Sequence, residues 1–133
     1  MKLLGIDTGT GGTRAVVINE AGSVVASATC EHEPFASPQP AWAEQDPLDW
    51  WRACTVAVRA VLSQSAVDAA EIAAVGLTGQ MHGAVLLDQS GDVIRPALVC
   101  GEPLARRRRP NEVERIAVDR PFRSVGWIAS CRV

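Results

Sequence analysis

The sequence is short of most features that would mark a metal centre, a membrane segment or a nucleic-acid surface. Its four cysteines, Cys30, Cys54, Cys100 and Cys131, lie far apart and form no CxxC pair. With only His32 and His82 in addition, no zinc-ligand spacing emerges, and free thiols in a reducing compartment are expected. Nowhere does a run approach the roughly 20 apolar residues that cross a bilayer. Leu3, Leu4, Gly5 and Ile6 begin one that Asp7 ends, far too early for a signal peptide. A formal net charge of -2 gives no pull towards nucleic acid or an anionic membrane. There is no internal repeat. These gaps leave a soluble cytoplasmic protein as the default, with no membrane partner.

What remains is globular. The 133 residues are 47% apolar and 21% charged, which suits one domain with a buried core and not a disordered chain. The charge is unevenly spread. Residues 1–100 hold five basic residues against eleven acidic ones, a balance of -6, whereas residues 101–133 hold eight arginines against four acids, a balance of +4. The composition therefore changes near Cys100.

Alternation and β-branching predict strands over residues 2–7, 13–19 and 23–33, joined by a glycine-rich turn (Thr8 to Gly12) and by Glu20-Ala21-Gly22. Such short links make an antiparallel meander, because a parallel return needs a crossover of a dozen or more residues. Pro34, Pro38 and Pro40 mark an irregular loop. A helix follows, with Asp46 as cap, Pro47 in first position and Asp49 in the first turn. Its apolar stripe reads Trp51, Cys54, Val58, Val61 and Leu62. Further extended segments are expected at 72–77, 84–88 and 93–99, with a polar loop over Thr78–Gly83 and a turn over Gln89–Asp92.

The segment GIDTGTGGTRAVV (Gly5 to Val17) carries the first chemistry. A polyphosphate needs several N–H donors aimed at it, and glycines let backbone approach without a Cβ in the way. Gly9, Gly11 and Gly12 supply that freedom, and Thr10 and Thr13 can add hydroxyl donors. Asp7, at the strand end, is placed to hold magnesium through water, and Arg14 can reach a phosphate oxygen. No GK[ST] follows, and the next element reads as a strand, so neither a Walker A loop nor a dinucleotide fingerprint fits. A plain hairpin whose glycines only make the turn is the alternative.

These residues resemble the first phosphate hairpin of the actin-like ATPase fold, and specifically of the FGGY carbohydrate kinases. WAEQDPLDWW (Trp42 to Trp51) is similar to the loop-to-helix junction of xylulokinases, and GLTGQMHGAVLLD (Gly76 to Asp88) to their sugar-binding segment. Glycerol kinases carry an arginine and a glutamate at Met81 and His82, and IRPALV (Ile94 to Val99) continues the xylulokinase match. The resemblance spans residues 2–99. It implies an α/β chain of the actin-like ATPase (ribonuclease H-like) fold, an incomplete N-terminal domain of antiparallel β-meander plus helix. It also implies ATP and Mg²⁺ as cofactors and D-xylulose as the sugar, phosphorylated to D-xylulose 5-phosphate by the complete enzyme. By position, Asp7 becomes the catalytic, phosphate- and magnesium-side aspartate, and Gly9, Thr10, Gly11, Gly12 and Thr13 the phosphate cradle with Arg14. Met81 and His82 contact the sugar, and Gln80 shapes their loop. Outside the motif, His82 would read as a satisfied polar residue in a turn. Trp50 and Trp51 are expected in core packing.

After Val99 the match ends. The family continues with a tryptophan, an Asn/Asp and an arginine, whereas here Cys100-Gly101-Glu102-Pro103 leads to Arg106–Arg109 in a row. Residues 1–99 are thus expected to form a partial kinase domain, and residues 100–133 an Arg-rich tail produced by a shifted frame or a truncating lesion. Four consecutive arginines usually mean a solvated charge run, and nucleic-acid binding is not expected. The family's general base and adenine-binding domain would lie beyond this chain. Catalysis by these residues alone is not expected, and an inactive remnant or binding module is the alternative function.

Overall fold

The computed structural model describes residues 1–40, 42–81 and 83–99. His82 and the whole Arg-rich segment 100–133, both singled out above, lie outside the described residues. The chain divides into two compact units: Met1–Pro34 with Leu48–Gln80, and Phe35–Pro47 with Met81–Val133.

The first unit is a four-stranded sheet in the order β3-β2-β1-β5. β1 (Lys2–Thr8), β2 (Gly12–Asn19) and β3 (Val24–Glu31) form the expected meander, antiparallel throughout. The turn between β2 and β3 is held by Asn19, whose Oδ1 accepts the N–H groups of Ala21 and Ser23. Gly22 sits there at φ 80°, a left-handed conformation that glycine adopts without strain. β5 (Ile72–Gly79) returns along the other side of β1 in parallel. It can do so because α1 (Pro47–Ser65) and a short 3-10 turn (Ala69–Glu71) supply the crossover that a parallel neighbour requires. That turn is fixed by Asp68 and Glu71 in a reciprocal capping box.

The core lies between one sheet face and α1. Leu4 and Ile6 of β1, Ala15 and Val17 of β2, and Ala57 and Val61 of α1 are buried in one cluster with Val67. α1 starts at Pro47 as expected, but its buried stripe differs from the predicted one. Ala53, Ala57 and Val61 form the buried line, with Cys54, Val58 and Leu62 packed at its edge. Trp51 is 71% exposed, which corrects its assignment to the core. The physical reason is rotation: two positions before Ala53 lies about 200° round a helix with 3.6 residues per turn. The two alanines on that line are fully buried. Along β5, Val75 and Leu77 are exposed.

The far end of β3 is tied to α1 through Asp49. Its carboxylate accepts the Glu33 N–H at 2.8 Å and the Arg52 Nε–H at 2.7 Å. Burial pushes this carboxyl up, but the Glu33 N–H and the Arg52 guanidinium outweigh it and hold it below the usual carboxylate range. A carboxyl lowered on folding stabilises the fold above its unfolded value, and that stabilisation is lost as pH falls through the lowered one. Asp49→Asn is therefore expected to weaken the fold at neutral pH. It should also flatten the acid limb of stability below about pH 4, measured by denaturant unfolding at a series of pH values.

The second unit holds a small sheet in the order β4-β7-β6. β4 (Glu44–Gln45) and β6 (Gly83–Ala84) each pair antiparallel with β7 (Ala97–Val99). The strands expected over 84–88 and 93–99 are regular only at these ends. Between them a ladder continues loosely, with Ile94 N–H on Leu86 O and Asp88 N–H on Asp92 O. The turn over Gln89–Asp92 forms where expected, with Asp88 Oδ1 accepting the N–H groups of Ser90 and Asp92. Among the described residues, no helix is long and apolar enough to cross a membrane.

Candidate phosphate-binding site

The hairpin at the end of β1 and β2 gathers the residues predicted to hold phosphate. Asp7 stands opposite Arg14, and Thr8 opposite Thr13, in the antiparallel register. The turn between them closes with the Gly9 N–H on Gly12 O at 2.9 Å. Because side chains alternate along a strand, the two pairs face opposite sides of the sheet. Asp7, Arg14 and their register neighbours Thr29 and Thr78 are exposed, so the side away from the core carries a polar row across all four strands. Arg14 lies along this row, its Nε donating to Thr29 Oγ1 at 3.2 Å.

The glycines of the turn do different work. A Cβ at Gly11 would meet nothing within 4 Å, so space above this residue is open to a ligand. At Gly12 a Cβ would stand 2.8 Å from Cys30 O and 3.2 Å from Glu31 Cα. Gly12 is therefore needed to bring β2 against β3, whatever the hairpin binds. Thr10 is exposed at the tip.

Thr13 departs from expectation. Its side chain is fully buried, and its Oγ1 lies 2.9 Å from Nε2 of His32, a residue only 8% exposed. The hydroxyl is thus engaged on the core side and does not line the open side of the turn. Neither His32 nor Thr8 had been assigned a role from the sequence. The signal was present in the alternation: Ala26, Ala28 and Cys30 point inward along β3, and His32 is the next residue in that period.

Of the predicted sugar residues, Gln80 is anchored to the hairpin, its N–H donating to Thr8 O at 2.8 Å. This prolongs the β1–β5 ladder by one bond and fixes where the chain leaves the sheet. Met81 begins the second stretch of the second unit and is 64% exposed. Among the described residues no three His, Cys, Asp or Glu side chains cluster as a metal cage. Asp7 by itself, exposed at a strand end, suits a cation that keeps most of its water, which is magnesium's habit.

Comparison with known proteins points to one family. The profile of the FGGY family of carbohydrate kinases, N-terminal domain, matches residues 2–115, running past Val99 into the Arg-rich segment. A xylulose kinase of Klebsiella pneumoniae is 45% identical over 96 residues, covering 72% of this chain and 19% of that protein. A glycerol kinase of Ralstonia nicotianae is 44% identical over 88 residues, 66% of this chain and 18% of that protein. Among solved structures, a xylulose kinase from Rhodospirillum rubrum superposes with a TM-score of 0.71 at 30% identity, covering 90% of this chain and 24% of that one. The chain thus spans about a fifth of the length of the curated relatives it matches.

Proposed function

This chain belongs to the FGGY family of carbohydrate kinases, and we propose that it supplies the phosphate-holding part of an ATP-dependent sugar kinase acting on D-xylulose. The observation that carries the proposal is the open space above Gly11 at the tip of a hairpin whose strand end presents Asp7. Polyphosphate can approach the backbone there as it cannot at Gly12. In this reading the turn from Gly9 to Thr13 cradles the phosphates with N–H groups other than that of Gly9, which closes the turn on Gly12 O, and Thr10 and Arg14 add side-chain donors. Asp7 holds magnesium through water. The metal, when bound, neutralises charge on the phosphate oxygens. Gln80 shapes the loop that presents Met81 and His82 to the sugar, where Met81 gives an adaptable apolar wall and His82 a hydrogen-bonding ring.

D-xylulose is favoured over glycerol by the residues at 81 and 82, a methionine and a histidine where glycerol kinases resemble one another in carrying arginine and glutamate. Residues 1–99 carry this reading, and the Arg-rich segment from Cys100 is assigned no part in it.

Phosphoryl transfer depends on positioning two substrates and stabilising charge between them, and this chain spans about a fifth of the length of the kinases it matches. The 133-residue chain alone is therefore expected to produce no D-xylulose 5-phosphate from ATP and D-xylulose in a coupled assay. Turnover by it would overturn the assignment of a partial site. Residues 1–99 joined to the remainder of the Klebsiella pneumoniae enzyme are expected to phosphorylate D-xylulose in preference to glycerol. In that chimera Met81→Arg with His82→Glu should lower kcat/KM for D-xylulose. If the pair of substitutions leaves it unchanged, the sugar assignment fails.

A further inference from the structure

The inward face of the hairpin changes character at its last position. Ile6 and Ala15 are apolar and buried in the core, whereas the next residues on that face, Thr8 and Thr13, are hydroxylic. His32 closes this polar layer, and its backbone N–H donates to Gly11 O at 3.0 Å, which seats it beside the turn. Thr13 Oγ1 stands between two partners, His32 Nε2 at 2.9 Å and Thr8 Oγ1 at 3.5 Å. Among the described residues, His32 Nδ1 is buried with no hydrogen-bond partner.

These facts favour one direction for the hydrogens. If Thr13 donated to Nε2, the proton of the neutral ring would sit on Nδ1, a buried donor with nothing to accept it, and orphaned buried N–H groups are rare. If instead the ring carries its proton on Nε2 and donates to Thr13, Nδ1 keeps only a bare lone pair, which burial penalises less. The Thr13 hydrogen is then directed to Thr8 Oγ1. That spacing is long for an O–H···O bond, and it is the weakest link of the series. Thr8, having accepted, keeps its own hydrogen to give, and it is only partly buried at the end of β1 beside the turn.

We propose that His32 and Thr13 are positioning residues that orient the Thr8 hydroxyl as a hydrogen-bond donor to the anion held by the hairpin. The proposal rests on the phosphate-binding reading and deepens it, adding a side-chain donor at the root of the turn to those at its tip. A donor fixed in advance loses less freedom when the anion arrives than a hydroxyl that must first be ordered, and a hydrogen bond to a charged oxygen is among the stronger ones.

Two measurements on the full chain test it. Long-range proton–nitrogen NMR at pH 8.5, with the ring signals assigned by comparison with His32→Gln, is expected to find the Nε2–H tautomer of His32. The Nδ1–H tautomer would reverse the direction and overturn the proposal. Binding of inorganic tripolyphosphate, followed by calorimetry, should weaken about tenfold in Thr8→Val and recover in Thr8→Ser. If the unsubstituted chain takes up tripolyphosphate and Thr8→Val binds it equally well, the role of Thr8 fails while the hairpin stands. If the unsubstituted chain takes up none, the hairpin reading itself fails, and the role of Thr8 with it.

Discussion

Gly12→Ala is expected to destabilise the first unit by about 1–3 kcal/mol, whereas Gly11→Ala, one residue away, should change stability by less than about 0.5 kcal/mol. The contrast follows from what each new methyl group meets. At Gly12 it would stand 2.8 Å from Cys30 O, with Glu31 Cα at 3.2 Å. Both are backbone atoms of the neighbouring strand and cannot rotate away as a side chain would. The strands must separate at that point, and the N–H of His32 on Gly11 O is the next bond to suffer. At Gly11 the methyl group would enter open space. The proposed phosphate would approach through the same space, so Gly11→Ala should keep its fold and lose affinity for tripolyphosphate. Denaturant midpoints and calorimetry on the two variants separate these effects. Equal stability of the two variants would show that Gly12 is not held against β3 as described.

The largest expected loss lies in the second unit. Glu44 is buried at the start of β4 and forms an ion pair with Arg95, fifty-one residues further along. The Arg95 guanidinium also lies over the Trp42 ring, 5.4 Å from its centroid, within range of a cation–π interaction. Arg95→Met removes the cation and leaves the Glu44 carboxylate buried without its counter-ion, a change that typically costs about 3–5 kcal/mol. Replacing both partners, Arg95→Met with Glu44→Leu, should be much milder, because the desolvation of a lone charge is then removed together with the attraction. The bonds to watch are Val99 N–H on Ala43 O, and those exchanged by Ala36 and Glu44. Their amide hydrogen exchange should accelerate in Arg95→Met and be largely restored in the double variant. A single variant as protected as the parent chain would show that the pair contributes little.

The elements that could be located from the sequence are those set by local rules. A short buried run, a β-branched run and an alternating run marked β1 to β3, and the glycine-rich and Glu20–Gly22 turns bounded them. Pro47 stands at the first helical position of α1, where its missing N–H does no harm. The Asp88–Asp92 turn was legible for the same reason, since its aspartate bonds backbone two and four residues on. The helix face was less legible. Alanine carries little weight in an apolar stripe, yet Ala53 and Ala57 are buried and the much more apolar-looking Trp51 is not. Which face of a helix is buried belongs to the packed pair of elements, not to the helix.

Within the candidate site the same division holds. Residue types alone placed an acid, three glycines and a basic residue around one turn, and with them the idea of a phosphate cradle. They could not say which glycine the cradle uses, because Gly11 and Gly12 differ only in whether another strand stands behind them. Nor could they turn Thr13 inward onto a histidine nineteen residues away, or bring β5 beside β1 across a helix. The sequence by itself determined the hairpin, the helix start and the chemistry on offer at the strand end, since these follow from covalent geometry and short-range periodicity. Only the tertiary structure decided the partners of Gly12, Thr13 and Glu44. A contact between distant residues draws its free energy from burial and pairing that exist only once both segments are in place.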